Sequence, residues 1–330
     1  MGVYHLMGLG LSPGVVTGPL SYLAYRYQRW NDDDRKFFSR SGEIKQREKG
    51  EKVGDIQAIV LFTTTEVIKG TVPCQTYIEN QLMRTAKTPE QPRKPMREVL
   101  PHLIRKEWSK IRGEKSKERP EGSLFWVEVD RRDICEAYKR VVQVVAALAG
   151  VGGQGKEMWI NLTGGNNVTN FALQLASTLS GDVSRLYYVQ AEQDMEKCTR
   201  FTTERNYWID LPAMPLALSN LNLTVLNLLE TAPMAENNLY SRMKSQYWSL
   251  VEEISPTQFR EISLAPMWKQ GLLEYENELY FKGSQWELIQ SYEQLLRQAK
   301  KNVEEKQLSL EKLAQEADWI VRERLSLSTS

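Results

Sequence analysis

Short apolar runs recur along the first 212 residues: VYHLM (3–7), IQAIVLF (56–62), LFWVEV (124–129), EMWINL (157–162), RLYYVQ (185–190) and YWIDLP (207–212). Between several of them apolar residues return at helical spacing, over 15–30, 131–149 and 168–180. Strands alternating with helices predict an α/β, Rossmann-like fold, doubly wound about a mostly parallel sheet, over residues 1–210. Two polar stretches interrupt the rhythm. Residues 31–55 read as an exposed loop or hairpin. Residues 84–119 form a basic insertion, with 12 Lys+Arg against 5 acids. It is either a solvated helix plus loop or a cationic cover for an anion site, through Arg105, Lys106 or Lys110.

The pattern changes after Pro212 and Pro215. LALSNLNLTVLNLLET, AENNLYSRMKSQYWSL and SPTQFREISLAPMWKQGLL read as three helices, the last capped by Ser255 with Pro256 following. LLEYENELYFKG reads as a hairpin around Glu276-Asn277. Three helices followed by a β-wing predict an α-rich winged helix-turn-helix domain over 211–300. Beyond it, a long amphipathic helix or pair of helices ends in a C-terminal helix over 301–330, with an apolar spacing suited to dimer packing.

Two strand–glycine–helix junctions carry the candidate chemistry. At the first, VYHLM runs into GLGLSPG (8–14), with Ser12 and Pro13 placed as N-cap and first helical residue. At the second, WINL runs into Thr163-Gly164-Gly165, and a helix begins at Asn166-Asn167. Glycines admit close approach of a ligand to the backbone. A fresh helix N-terminus presents unpaired N–H groups and the positive end of its dipole, which together suit a phosphate. Each junction alone is also an ordinary βα turn. Two at the carboxyl ends of one parallel sheet favour the binding reading. Thr63 and Thr64, closing the second strand, are either further hydroxyl donors on this rim or a helix cap.

Composition narrows the chemistry. Hydrophobic residues make up 41% and charged residues 26% of 330, with a net charge of +1. That charge is unevenly spread: residues 1–210 carry 31 Lys+Arg against 26 Asp+Glu, residues 211–330 carry 12 against 16. A net −4 on the winged-helix side is the wrong sign for gripping duplex DNA. Two histidines, His5 and His102, argue against a His-rich metal site, so no metal and no cofactor is expected, and mid-strand His5 reads as a packed residue. Cys74, Cys135 and Cys198 are widely spaced, and no run approaches membrane-span length, which suits a reduced cytoplasmic setting without membrane attachment. GLG lacks its third glycine, where Pro13 stands, so a dinucleotide fingerprint is not met. GVGGQGKE (150–157) ends in Glu157 and precedes a strand, so it is not a Walker A loop.

Gly10-Leu11-Ser12-Pro13-Gly14-Val15-Val16-Thr17 resembles the first loop of CRISPR-associated Rossmann-fold (CARF) proteins, and Thr163-Gly164-Gly165 at the head of a helix resembles their second signature. The resemblance covers 1–210 and extends more loosely to the winged helix. It implies a homodimer that binds a cyclic oligoadenylate, such as cyclic tetra-adenylate, across its two-fold axis. The implied ligand positions are Ser12, Gly14, Thr17, Thr163, Gly164, Gly165, Asn166 and Asn167, with Ser12 and Asn167 nearest the reaction. Ring nucleases of this kind cleave without a metal and switch off type III CRISPR signalling. Where the family often carries a Lys, this chain has Asn167, an uncharged donor. The alternative is a ligand-controlled transcription regulator that uses the winged helix on DNA and does not cleave.

Overall fold

The computed structural model describes residues 3–29, 31–39, 56–71, 95–112, 121–150, 156–190, 208–212 and 219–327. The chain divides into two compact units, Met1–Pro215 with Gln298–Ser330, and Leu216–Arg297. The strands in chain order are β1 (Val3–Gly8), β2 (Ile56–Thr63), β3 (Glu121–Glu128), β4 (Glu157–Asn161), β5 (Arg185–Val189), β6 (Trp208–Leu211), the hairpin β7 (Leu273–Glu276) and β8 (Leu279–Lys282), and β9 (Ile320–Ser326). The first unit holds a seven-stranded sheet in the order β6-β5-β4-β1-β2-β3-β9. Its five inner strands run parallel, and the edge strands β6 and β9 are antiparallel to their neighbours. This is the Rossmann-like α/β architecture the strand–helix alternation predicts.

Helices α1 (Gly14–Arg29), α2 (Asp32–Ser39), α3 (Thr65–Lys69), α4 (Met96–Arg112), α5 (Ile134–Ala149) and α6 (Asn167–Ser180) connect the parallel strands. α1 packs with α4, and α5 with α6. Right-handed crossovers that run first one way along the sheet and then the other put these pairs on opposite faces. β1 is buried along its whole length, as a strand covered on both faces must be.

Residues 32–39 form a helix rather than the expected loop. Three aspartates in its first turn suit the helix N-terminus. Asn31 and Asp34 cap each other: Asp34 N–H donates to Asn31 Oδ1 at 3.0 Å, and Asn31 N–H to Asp34 Oδ2 at 3.1 Å. The Asp34 carboxylate is fully buried and accepts from Arg26 and Arg29, both at 2.8 Å. Those guanidiniums hold its pKa below the usual range against the opposing effect of burial. Within the basic insertion, α4 lays Met96, Leu100, Ile104, Trp108 and Ile111 into the core. The Trp108 indole N–H donates to the Ile56 carbonyl at 3.1 Å. Arg105 and Lys106 stay exposed, and Lys110 pairs with Glu107 at 2.8 Å. α4 is therefore a core helix with a solvated basic face; residues 84–94 and 113–119 lie outside the described residues, as do 40–55, 151–155, Cys74 and Cys198.

The second unit contains α7 (Asn220–Leu228), α8 (Glu236–Gln246), α9 (Trp248–Val251) and α10 (Pro256–Phe259), a π-helical turn (Arg260–Leu264), and α11 (Ala265–Lys269), followed by the β7–β8 hairpin. Ser255 and Gln258 close a reciprocal capping box at the start of the third helical run. Asn277 and Glu278 take left-handed backbone at the hairpin turn, at φ 52 and 64. Three helical segments and a wing surround a core that includes Val225, Leu239, Met243, Phe259, Leu264 and Met267.

The C-terminus departs from the expected helix over 301–330. α12 (Ser284–Lys306) ends with Gln307 at φ 51, α13 (Leu310–Glu316) follows, and β9 then pairs with β3 from Val127↔Ile320 to Glu121↔Ser326. The mixed apolar and charged run Ile320-Val321-Arg322-Glu323-Arg324-Leu325 fits either period. The open edge of β3 and the β-branched pair Ile320-Val321 decide for strand. Ile320–Ser326 thus completes the first unit's sheet as its edge strand. No helix among the described residues is long and apolar enough to cross a membrane.

Candidate functional site at the sheet switch point

The chain adds β2 and β3 on one side of β1, then returns to place β4 on the other. The connections leaving β1 and β4 therefore diverge, and the crevice outside their carboxyl ends is where open α/β sheets take ligands. Both glycine junctions lie at this point.

The junctions pack directly on one another. A Cβ on Gly8 would stand 2.6 Å from the Gly164 carbonyl oxygen and 2.8 Å from Asn170 Oδ1. A Cβ on Gly164 would stand 2.3 Å from Val15 Cγ2 and 2.7 Å from the Gly8 oxygen. Gly165 has φ +91, and a Cβ there would lie 3.0 Å from Gly8 Cα. These glycines bring two backbones together before any ligand arrives.

Asn161, fully buried at the end of β4, holds this pair in register. Pro19 has no N–H to give to the carbonyl four residues earlier, that of Val15. Asn161 Nδ2 takes that role and donates to the Val15 carbonyl at 3.1 Å. Its Oδ1 accepts from Thr163 N–H at 2.8 Å. One side chain thereby joins the second junction to the helix of the first. Asn170 sits between the two glycine segments, its Oδ1 buried and without a hydrogen-bond partner among the described residues. Sequence patterns singled out neither asparagine; the signal for Asn161 was a strand-ending Asn together with a proline inside the facing helix.

The expected site residues divide into two groups. Thr17, Thr63 and Thr163 brace the backbone. Thr17 Oγ1 donates to the Pro13 carbonyl at 3.2 Å, Thr63 Oγ1 to the Leu9 carbonyl at 2.8 Å, and Thr163 Oγ1 accepts from Val189 N–H at 2.7 Å. Thr64 holds the cap position of α3 without a side-chain cap bond and is buried. The second group lies at the two helix entries. Asn166 caps α6, its Oδ1 accepting from Thr169 N–H at 2.8 Å. Asn167, the first residue of α6, is exposed, and Ser12 is half-buried on the opposite loop. The first helix begins one residue later than expected: the Pro13 carbonyl accepts from Thr17 N–H, which makes Pro13, not Ser12, the cap and buried Gly14 the first helical residue. Neither 8–17 nor 161–170 contains a charged residue. Within these two segments, the features suited to an anion are the N-termini of α1 and α6.

Further along the same rim, a cavity of about 370 Å³ at the ends of β2 and β3 is lined by Thr64, Thr65, Glu66, Arg131, Arg132 and Arg140, with Glu128, Asp130 and Glu136. Arg140 is tied to Glu136 and to the Glu128 carbonyl, and Thr65 to the Glu128 carboxylate. Its three arginines stand among four carboxylates.

His5 is a packed residue, as its mid-strand position predicts. It is fully buried, with Nδ1 3.1 Å from the Tyr187 hydroxyl and its ring edge-on to Trp159. Burial, reinforced by nearby Arg185, pushes its pKa down to about 3. Arg185 is itself sandwiched by Phe37, Trp159 and Trp208 and pairs with Asp210 at 2.6 Å. This cluster is structural. No group of three or more His, Cys, Asp or Glu among the described residues is arranged to hold a metal ion.

No protein-family model matches the chain. A protein of Archaeoglobus fulgidus, described only as an uncharacterized protein, is 29% identical over 193 residues, covering 57% of this chain and 57% of its own length. The chain thus matches little more than half of that relative, and the likeness brings no activity with it.

Proposed function

We propose that the chain binds a cyclic oligoadenylate, cyclic tetra-adenylate first among them, on the paired junctions of two copies, and cleaves it as a ring nuclease of the CARF type acting in type III CRISPR signalling. The observation that carries this reading is the packing of two strand–glycine–helix junctions on each other at the β1/β4 switch point, with Asn167 exposed and Asn166 and Ser12 half-buried. Two helix N-termini in one crevice suit adjoining phosphates. A two-fold pair of such crevices suits a ring of repeated phosphates, because each copy presents the same half-site.

The reaction needs little from the protein beyond positioning. A ribose 2′-oxygen attacks the adjacent phosphorus, the bond to the 5′-oxygen breaks, and the proton lost by the 2′-hydroxyl ends on the 5′-hydroxyl. The product ends in a 2′,3′-cyclic phosphate, and neither water nor an external nucleophile is consumed. The half-site contributes alignment and donors to the developing charge on phosphorus. Ser12 and Asn167 are the side chains placed to supply those donors. Neutral Asn167 stabilises an anionic transition state less than a cation does, so slow turnover is expected.

The test is incubation of the full chain with cyclic tetra-adenylate in EDTA, with chromatography of the products. Linear di- or tetra-adenylate bearing a 2′,3′-cyclic phosphate supports the proposal, and Ser12→Ala should then slow its formation without unfolding the protein. Intact ligand that co-elutes with the protein would leave a sensor without nuclease activity, the reading favoured by the missing charge at 167. Intact ligand that does not bind would refute both.

A further inference from the structure

The third helical run of the second unit, residues 256–269, presents an outward face unlike that of a DNA-reading helix. Phe259, Ser263, Leu264 and Met267 point into the core. Ile262 is 52% and Trp268 53% exposed, with Glu261 and Lys269 beside them and half-buried Ala265 between. Arg260, a cation that would otherwise reach phosphates, is tied to Glu236 at 2.7 Å. The adjoining wing exposes Glu274, Glu276 and Glu278, and the unit as a whole carries six Lys+Arg against ten Glu. Duplex DNA would be repelled by this surface.

The same face is complementary to itself. Glu261 and Lys269 lie four residues either side of Ala265, and Ile262 and Trp268 lie three residues either side. Neither Glu261 nor Lys269 has an ion-pair partner among the described residues. In an antiparallel pair of these helices crossing at Ala265, Glu261 of each copy meets Lys269 of the other, and Ile262 meets Trp268. Two-fold symmetry makes every such contact occur twice. The small side chain at the crossing lets the helices approach closely. Pro266 contributes as well. It cannot donate to the carbonyl four residues back, so the helix widens into the π-helical turn, where Ala265 N–H reaches the Arg260 carbonyl. The widened turn keeps Ile262 and Trp268 on the outer face.

We infer that residues 256–269 form a homotypic interface, pairing antiparallel with the same helix of a second copy about a two-fold axis at Ala265. The partner is another copy of this chain, and the inference stands independently of any ligand bound at the switch point.

Cross-linking in the full-length chain tests this even if the first unit also dimerises. With Cys74, Cys135 and Cys198 replaced by serine, Ala265→Cys should form an intermolecular cross-link with a short bismaleimide. Thr257→Cys should not, because it lies about 12 Å along the helix from the axis and so about 24 Å from its own copy. Either Glu261→Lys or Lys269→Glu alone sets like charges opposite each other twice per dimer and should lower the yield about five- to ten-fold. Combining the two should restore it, an outcome no merely structural role produces. Trp268→Ala should lower it too. Equal cross-linking at 257 and 265, none at 265, or a double reversal as poor as the single ones would overturn the inference. Protection of position 265 by duplex DNA at physiological salt would overturn it in favour of a nucleic-acid surface.

Discussion

The two glycine junctions are alike in sequence plan and different in what they expose. The first is closed. Gly8 and Gly14 are buried, Thr17 bonds back to Pro13, and the Val15 carbonyl freed by Pro19 is taken by Asn161. The second is open. Gly165 turns through φ +91, Asn166 spends its side chain on capping α6, and Asn167 is left facing solvent. One strand–glycine–helix junction therefore serves as the bed on which the other is held at a fixed angle. A glycine-rich loop can be required for protein–protein packing and still belong to a ligand site, so glycine substitutions alone cannot separate the two roles.

The largest effect on stability is expected at the seam between them. Gly164→Ala drives a methyl into Val15 and the Gly8 carbonyl and should cost about 2–3 kcal/mol, read from the urea midpoint. A change below about 0.5 kcal/mol would show that the loops separate freely. Next comes Asn161→Ala, which strands the Val15 carbonyl and the Thr163 N–H and should cost about 2 kcal/mol. Hydrogen exchange should then quicken at Thr163 while α5 stays protected; unchanged exchange would mean that water replaces the amide at no cost.

His5 sharpens the picture from inside β1. Its folded pKa of about 3 lies below the ordinary 6.5, so the unfolded chain binds the extra proton first. Its contribution is fully present above pH 6.5 and is lost as the pH falls from there toward 3, with a slope of at most about 1.4 kcal/mol per pH unit. Denaturation midpoints at pH 7 and 5 should differ more in the wild type than in His5→Phe; equal differences would remove His5 from the acid response. The smallest effect on stability belongs to the open junction. Asn167→Lys should shift stability by less than about 0.5 kcal/mol, yet raise turnover of cyclic tetra-adenylate by about ten-fold or more. An unaltered rate would place residue 167 outside the reacting centre.

The contrast also marks what the chain's pattern reveals and what it hides. The parallel strands, the junctions and the hairpin with its Asn277-Glu278 turn follow from local rules, because apolar runs, glycines and caps act within a few residues. Residues 32–39 and 320–326 did not read correctly. The first gains its stability from a buried Asp34 paired with Arg26 and Arg29 of the preceding helix, and the second from an edge of β3 roughly 200 positions away in sequence. Within the site, Gly165, Asn166 and Asn167 are legible as a helix-entry pattern, whereas the cap expected at Ser12 falls on Pro13. The bracing roles of Thr17, Thr63 and Thr163 were not, because a hydroxyl's partner is set by tertiary contact. Asn161 was hidden for the same reason: its partner exists only because Pro19, 142 positions earlier in the chain, leaves a carbonyl open.

The most direct test of the central claim, that two open junctions form one anion site across a pair of copies, is a calorimetric titration of the full chain with cyclic tetra-adenylate at 4 °C in EDTA. The account predicts saturable binding of one ring per two chains, weakened by rising salt and by Asn167→Asp. Absence of binding, or one ring per chain with no response to the charge at position 167, would contradict it.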